Sequence, residues 1–301
     1  MPQPTSPGDY ADFYRQSIAP DTREAFWLEQ ARAIDWHQAP QQACDYHNPP
    51  FARWFADGQL NLCHNAVDRH LAQRADQPAI IAVSTETNTE RVYTFAQLHE
   101  EVQRMAAVLQ SFGVGKGDRV QIYMPMIAEA AFAMLACVRL GAIHSVVFGG
   151  FASVSLASRI DDAQPKVVIS ADAGSRGGKA IAYKPLLDEA LQLAKHKPAA
   201  VLLVDRGLAP MPLQAGRDHL WSTLRTQPQF SEAKVPCTWL NSSDPSYILY
   251  TSGTTGKPKG VQRDTGGYAV ALASSMQHIF AGKAGQTFFT TSDIGWVVGH
   301  S

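Results

Sequence analysis

Apolar residues first fall into a clear order near residue 79. The run AIIAVS (79–84) is short and rich in β-branched residues, and it reads as a strand. Thr94 and Gln97 then stand at the S/T-x-x-E/Q spacing of a capping box. Behind them Phe95, Leu98, Val102, Met105, Leu109 and Phe112 recur at steps of three and four, which predicts a helix with one apolar face. Gly113, Gly115 and Gly117 end it, and RVQIYM (119–124) reads as the next strand. The alternation continues with a helix over Ile127–Leu140, the strand IHSVVF, a helix over Ser153–Asp161 and the strand KVVISA. A helix over Tyr183–Ala194 leads to the strand AVLLVD, and a later sheet begins near Ser246 with SYILY. Short, wholly apolar strands between amphipathic helices predict βαβ units. The fold class is α/β, with largely parallel sheets, helices on both faces and ligands at the C-terminal ends of the strands.

The first sixty-odd residues lack this period. They carry Phe26, Trp27, Trp36, Phe51, Trp54 and Phe55 among Pro, Gln and Asp. Disordered arms are poor in aromatics, so residues 1–65 read as a helical extension that packs its rings onto the main domain, 66–301.

Composition narrows the function classes. A net charge of −1 with no charge block gives no field for nucleic acid or an anionic membrane surface. No apolar run reaches the length of a bilayer span, and the opening residues lack the basic start and apolar stretch of a signal peptide. Cys44, Cys63, Cys137 and Cys237 lie far apart without a CxxC pair, which suits reduced thiols in a cytoplasmic protein better than a zinc site.

The chemistry concentrates in TSGTTGKPKG, Thr251 to Gly260, directly after SYILY. Gly253, Gly256 and Gly260 permit close backbone approach, so successive N–H groups can face phosphate oxygens. Thr251, Ser252, Thr254 and Thr255 add hydroxyl donors, Lys257 and Lys259 add positive charge, and Pro258 stiffens the loop. With a helix expected next, the loop reads as a phosphate site. It is not a Walker A loop: Gly253 and Gly256 enclose two residues, and Pro258 takes the place of the magnesium-binding hydroxyl after Lys257.

The whole string YTSGTTGKPKG resembles the signature loop of the adenylate-forming superfamily of acyl-CoA synthetases, luciferases and peptide-synthetase adenylation domains. Further stretches are similar to its short-chain acyl-CoA synthetase branch. FGGF (148–151) and SRGGK (175–179) match segments that contact coenzyme A in that branch. The resemblance therefore implies coenzyme A binding by Phe148, Gly149, Gly150, Arg176, Gly177, Gly178 and Lys179. Arg offers a bidentate fork to phosphate and Lys a point charge; Lys179 stands where other members have arginine, which would soften the contact. SDIGWVVGHS (292–301) resembles the lining of the acyl pocket, with Trp296, Val297 and Val298 bounding a small apolar cavity. Without the resemblance these stretches read as a strand-to-helix turn, a solvated loop and a buried strand with a core tryptophan. The aromatic extension also resembles that of the branch, and the wording is nearest the propionate-activating members, with the acetate-activating ones second.

The resemblance implies a two-step reaction. A carboxylate attacks the α-phosphate of ATP, giving an acyl-adenylate and pyrophosphate; the coenzyme A thiol then attacks the acyl carbonyl and releases AMP. Lys257 and Lys259 would stabilise the departing pyrophosphate, with Thr251 to Gly256 on the phosphates and Mg²⁺ bridging them. No metal ligand is expected within these residues. The resemblance also implies that the rest of the adenylation domain and a C-terminal domain with a catalytic lysine are missing. The 301 residues alone are then expected to be inactive, and the complete form to be a monomer or small homo-oligomer. Other adenylating enzymes, a P-loop NTPase and a non-catalytic coenzyme A-binding fragment are the alternatives. His64, His70, the Glu100/Glu101 pair and the Asp161/Asp162 pair read as solvated, the histidines without a supporting acid. His144 reads as a core histidine, and His300 falls within the pocket-like stretch.

Overall fold

The computed structural model describes residues 7–251 and 258–300. The aromatic extension begins with helices α1 (Pro7–Ile18) and α2 (Arg23–Ala31), and then turns to strand. A hairpin of β1 (Cys44–Asn48) and β2 (Phe51–Trp54) follows, so the extension is not helical throughout. Its rings pack edge to face, Phe26 on Trp27 at 5.2 Å and Trp27 on Trp54 at 5.7 Å. These contacts bury apolar area without any strand or helix period, which is why periodicity found no order there.

The chain continues through β3 (Gln59–Leu60), α3 (Leu62–Ala66), a 3₁₀ turn at Asp68–His70 and α4 (Leu71–Arg74). The run at 79–84 then forms β4 (Pro78–Ser84), but it stands outside the parallel sheet. It pairs antiparallel with β5 (Thr89–Thr94). Four residues join the two, and a parallel partner would need a crossover of a dozen or more. One face stays open, with Ile81 and Val83 exposed.

Helix α5 (Phe95–Ser111) carries the expected capping box, Gln97 N donating to Thr94 Oγ1 at 3.2 Å and Thr94 N to Gln97 Oε1 at 3.0 Å. Its buried face includes Leu98, Val102, Met105 and Leu109. Gly113, at φ +80°, ends it. Then come β6 (Arg119–Tyr123), α6 (Ala128–Leu140), β7 (Ile143–Val146), α7 (Ser153–Ala163) and β8 (Val167–Ala171). A small hairpin, β9 (Ala173–Arg176) with β10 (Lys179–Ala182), precedes α8 (Tyr183–Leu193) and β11 (Ala200–Val204). The remainder is β12 (Asp218–Leu220), α9 (Trp221–Leu224), α10 (Pro228–Ser231), β13 (Leu240–Asn241), β14 (Pro245–Thr251), β15 (Lys259–Asp264), α11 (Gly266–His278) and α12 (Val297–His300).

Seven strands form one sheet in the order β12-β11-β8-β6-β7-β14-β15. All neighbours are parallel except β14 and β15. Val120, Ile122, Val167 and Leu202 face a core shared with α5 and α6. Tyr123, Val168, Val201 and Leu203 face a second core shared with α7 and α8. The run at Ser246 begins no separate sheet: Tyr247 pairs with His144, so β14 extends this one.

Two polar readings are corrected by packing, and a cluster the sequence did not show is added. His64 has an acid after all, Asp35 Oδ2 at 2.7 Å. Glu101 is buried and bonds Arg104 Nη1 at 2.7 Å, with Arg225 also against it. The thiols of Cys63 and Cys237, distant in sequence, lie within 4.8 Å of each other and of the Asp68 carboxylate. Arg139, buried, donates to Asp68 at 2.8 and 2.9 Å and to Cys63 Sγ at 3.4 Å. The hydrogen bond with Cys237 and burial push the Cys63 thiol well above its ordinary value. The guanidinium thus supplies the positive charge beside these sulfurs.

Candidate active site

Strand β6 passes to β7 on one side and the chain then returns to β8 on the other. This makes the C-terminal ends of these strands the switch point of the sheet, where an open α/β fold leaves a crevice. A cavity of about 380 Å³ lies there. Pro125 and Met126 follow β6, Phe148, Gly149 and Gly150 follow β7, and Gly174 and Ser175 follow β8. The tip of the β4–β5 hairpin, with Ser84 and Glu86, and Asp293 complete its walls.

The Phe148–Phe151 turn is held from inside the sheet. The Tyr123 hydroxyl donates to Gly149 O at 3.3 Å and to Phe151 O at 3.2 Å. Gly149 has no room for a side chain, because a Cβ there would lie 1.9 Å from Tyr183 Oη. Arg159 places its guanidinium 4.4 Å over the Phe151 ring, and burial lowers its pKa from the ordinary arginine value.

Residues 175–179 form the turn of the β9–β10 hairpin, with Gly177 and Gly178 at φ +57° and +75°. These angles are the reason for two glycines in succession, as a type I′ hairpin turn needs φ > 0 at both central positions. Lys179 is exposed. Arg176 lies in β9 opposite Lys179.

The glycine-rich loop departs from the expected setting. Lys259 pairs with Thr251 and begins a strand, so the loop is the tip of the β14–β15 hairpin and no helix follows it directly. Any phosphate held there would meet backbone and side-chain donors without the field of a helix N-terminus. Ser252, Gly253, Thr254, Thr255, Gly256 and Lys257 lie outside the described residues. Thr251 and Lys259, which bracket them, are exposed. Because β14 runs parallel to β7, Thr251 at its C-terminal end lies at the same edge of the sheet as the Phe148–Phe151 turn. Arg159 links the two regions, its guanidinium 4.4 Å over the Phe151 ring and 5.3 Å over the Tyr250 ring, and the Tyr250 hydroxyl donates to Asp162 Oδ2 on α7 at 2.6 Å.

Trp296, Val297 and Val298 are distributed differently from the expected pocket lining. Val297 opens the short helix α12, and Val298 is 69% exposed. Trp296 packs on Phe148 at 5.5 Å and Phe151 at 6.2 Å, but none of the three lines the described cavity. His300 is buried against His144, Nε2 to Nε2 at 2.9 Å, under Tyr247. Burial pushes His300 down to about 4, and burial with His300 nearby drives His144 well below its usual value.

Sequence reasoning missed Tyr123, Tyr183, Glu86, Arg206 and Asp293. Arg206 crosses from the end of β11 to Ser84 Oγ at 3.3 Å and to Glu86, and it donates to Ala173 O at 3.2 Å. The one local signal was Asp293 inside SDIGW; the others gain meaning only from loops that are distant in sequence.

Comparison with known proteins agrees with this geometry. Propionate–CoA ligase of Escherichia coli (strain K12) is 61% identical over 97% of this chain and 46% of that protein. The human mitochondrial acyl-CoA synthetase short-chain family member 3 is 45% identical over 98% of this chain and 43% of its own length. Among solved structures, acetoacetyl-CoA synthetase from Streptomyces lividans superposes with a TM-score of 0.87 at 27% identity, covering 99% of this chain and 44% of that one. The chain thus spans under half the length of the relatives it matches. Residues 10–66 match the acetyl-coenzyme A synthetase N-terminus. With residues 67–301, which include the switch-point crevice and the β14–β15 glycine loop, matching the AMP-binding enzyme family, the chain belongs to that family.

Proposed function

We propose that this chain forms the phosphate-binding and coenzyme A-binding part of an AMP-forming ligase whose carboxylic acid is propionate. The single observation that carries the reading is the 61% identity to a propionate–CoA ligase across 97% of the chain. The shared sheet edge that carries both the glycine loop and the crevice supports it. In the first step the loop from Thr251 to Lys259 holds the β- and γ-phosphates of ATP. Lys257 and Lys259 neutralise the charge that grows on the leaving pyrophosphate. Mg²⁺ brought in with ATP would add charge neutralisation at the phosphates held by Thr251 to Lys259. Two anions meet in this step, so positioning and charge neutralisation lower the barrier more than any proton transfer.

In the second step the coenzyme A thiol reaches the acyl carbonyl along the crevice. Phe148, Gly149 and Gly150 form its wall, and Arg176 and Lys179 hold the phosphorylated adenosine end at the rim. Trp296, packed against Phe148 and Phe151, stands between that wall and the acyl group, with the exposed Val297 and Val298 beside it as the apolar lining. No described helix is long and apolar enough to cross a membrane. A cytoplasmic location and a monomer or small homo-oligomer belong to the same proposal. Acetate is the second substrate to test.

The test is propionate-dependent exchange of pyrophosphate into ATP by the complete ligase, with Lys259→Ala as the variant. Lys259 is exposed at the hairpin mouth, so its removal is expected to leave the fold intact and slow exchange by roughly 10²–10³. Unchanged exchange in Lys259→Ala would remove the role given to this loop.

A further inference from the structure

Tyr183 is the first residue of α8, and its N–H donates to Asp172 O at 2.9 Å, just after β8. From there its side chain runs between the two glycine-bearing segments. A Cβ on Gly149 would lie 1.9 Å from Tyr183 Oη, and a Cβ on Gly174 would lie 2.4 Å from the same atom. The phenol therefore occupies the space that either residue's side chain would need, and it sets how far apart the Phe148–Phe151 turn and the β9–β10 hairpin stand. Tyr123 stacks on the ring at 4.8 Å and fixes its plane. The ring is buried, yet the residue lines the crevice, and its hydroxyl has no hydrogen-bond partner among the described residues.

That hydroxyl is a neutral donor. Burial, with Asp293 and Glu86 nearby, pushes its pKa up to about 12, so it keeps its proton at any physiological pH. A buried, unspent donor in a crevice of mixed polar and apolar lining matches an uncharged acceptor such as an amide carbonyl. The arm of coenzyme A that carries the thiol contains two amides and no charge.

We propose that Tyr183 binds the thiol substrate, its ring spacing the two loops and its hydroxyl donating a hydrogen bond to an amide carbonyl of the pantetheine arm. This rests on the reading of the crevice as the coenzyme A site. The contact serves the second step only, so the first step proceeds without it.

The experiment compares Tyr183→Phe, Arg176→Ala and the parent in the complete ligase. The readouts are KM for coenzyme A, KM for pantetheine as a truncated thiol substrate, and propionate-dependent pyrophosphate exchange. Tyr183→Phe keeps the ring and removes only the donor. It is expected to raise KM about three- to tenfold for coenzyme A and for pantetheine alike, since one neutral hydrogen bond is lost. Pyrophosphate exchange should stay unchanged, which also reports an intact fold. Arg176→Ala is expected to raise KM for coenzyme A alone, as pantetheine lacks the phosphates. A second arm tests the spacing. Gly149→Ala is expected to raise KM for coenzyme A, and adding Tyr183→Leu is expected to recover part of the loss by removing the clashing phenol.

If Arg176→Ala raises KM for coenzyme A while Tyr183→Phe stays within twofold of the parent for both thiols, the Tyr183 proposal is overturned and the site reading stands. If neither variant changes KM for coenzyme A, both are overturned.

Discussion

Replacing Asp68 by alanine tests a buried electrostatic unit that packing creates between segments distant in sequence. Arg139 has a side chain only 4% exposed. It donates to Asp68 through Nη1 at 2.8 Å and Nη2 at 2.9 Å, to Val235 O through Nε at 2.6 Å, and to Cys63 Sγ at 3.4 Å. Asp68→Ala removes both charge-assisted bonds and leaves a desolvated guanidinium with one carbonyl and one thiol. Stranding a buried charge in this way costs about 3–5 kcal/mol, a large part of the ~5–15 kcal/mol that holds an ordinary domain folded. Urea unfolding followed by tryptophan fluorescence reads the loss as a lowered midpoint at constant slope. Asp68→Leu combined with Arg139→Met removes both charges and is expected to recover most of it.

The same pair has a pH signature. Burial pushes the Asp68 carboxyl up, but hydrogen bonds from His99 and Arg139, and their charge, outweigh it and hold the group well below the usual carboxylate range. Its contribution is therefore complete above the unfolded-state value near ~4 and is lost as pH falls through the folded value. Asp68→Asn should flatten the acid limb of the stability curve. A loss under about 1 kcal/mol in Asp68→Ala, the size expected of an exposed pair, would refute the reasoning.

His300→Gln addresses a second acid-sensitive group: with its folded pKa pushed down to about 4, His300 stabilises the fold at neutral pH. That contribution declines as pH drops from ~6.5 toward 4, so the variant should lose less stability than the parent between pH 7 and 5 in urea titrations. Thr94→Ala breaks the capping box of α5 and is expected to cost about 1 kcal/mol, with no change in the urea slope. Gly178→Ala places a Cβ in the left-handed region at φ +75°, a strain of about 1–2 kcal/mol. In the complete ligase it should raise KM for coenzyme A without altering pyrophosphate exchange, and equal KM values would separate this hairpin from thiol binding.

Local regularities were open to reading because their cause is local. The capping box at Thr94 and Gln97 joins groups three residues apart. The apolar steps through α5 and the apolar runs of β6, β8 and β11 follow directly from helix and strand periods. Likewise the glycine loop, FGGF and SRGGK announced themselves as continuous strings, and Gly177 and Gly178 carry their reason in their own φ angles.

Pairing between distant segments was decided by tertiary structure. Nothing in the pattern of SYILY says that β14 lies beside β7, or that the chain after Lys259 returns as a strand rather than a helix. Those outcomes depend on which apolar faces find each other and on loop lengths. Glu101 looks like half of an exposed acidic pair until Arg225 closes over it; Asp68 and Arg139 are 71 positions apart. Tyr183 reads as an ordinary helix start. Its place follows from Gly149 and Gly174, two residues without side chains, one in the turn after β7 and one in β9, which leave between them a gap wide enough for a phenol. A sequence can spell the side chains that fill such a gap, but the gap exists only once the sheet has brought its edges together.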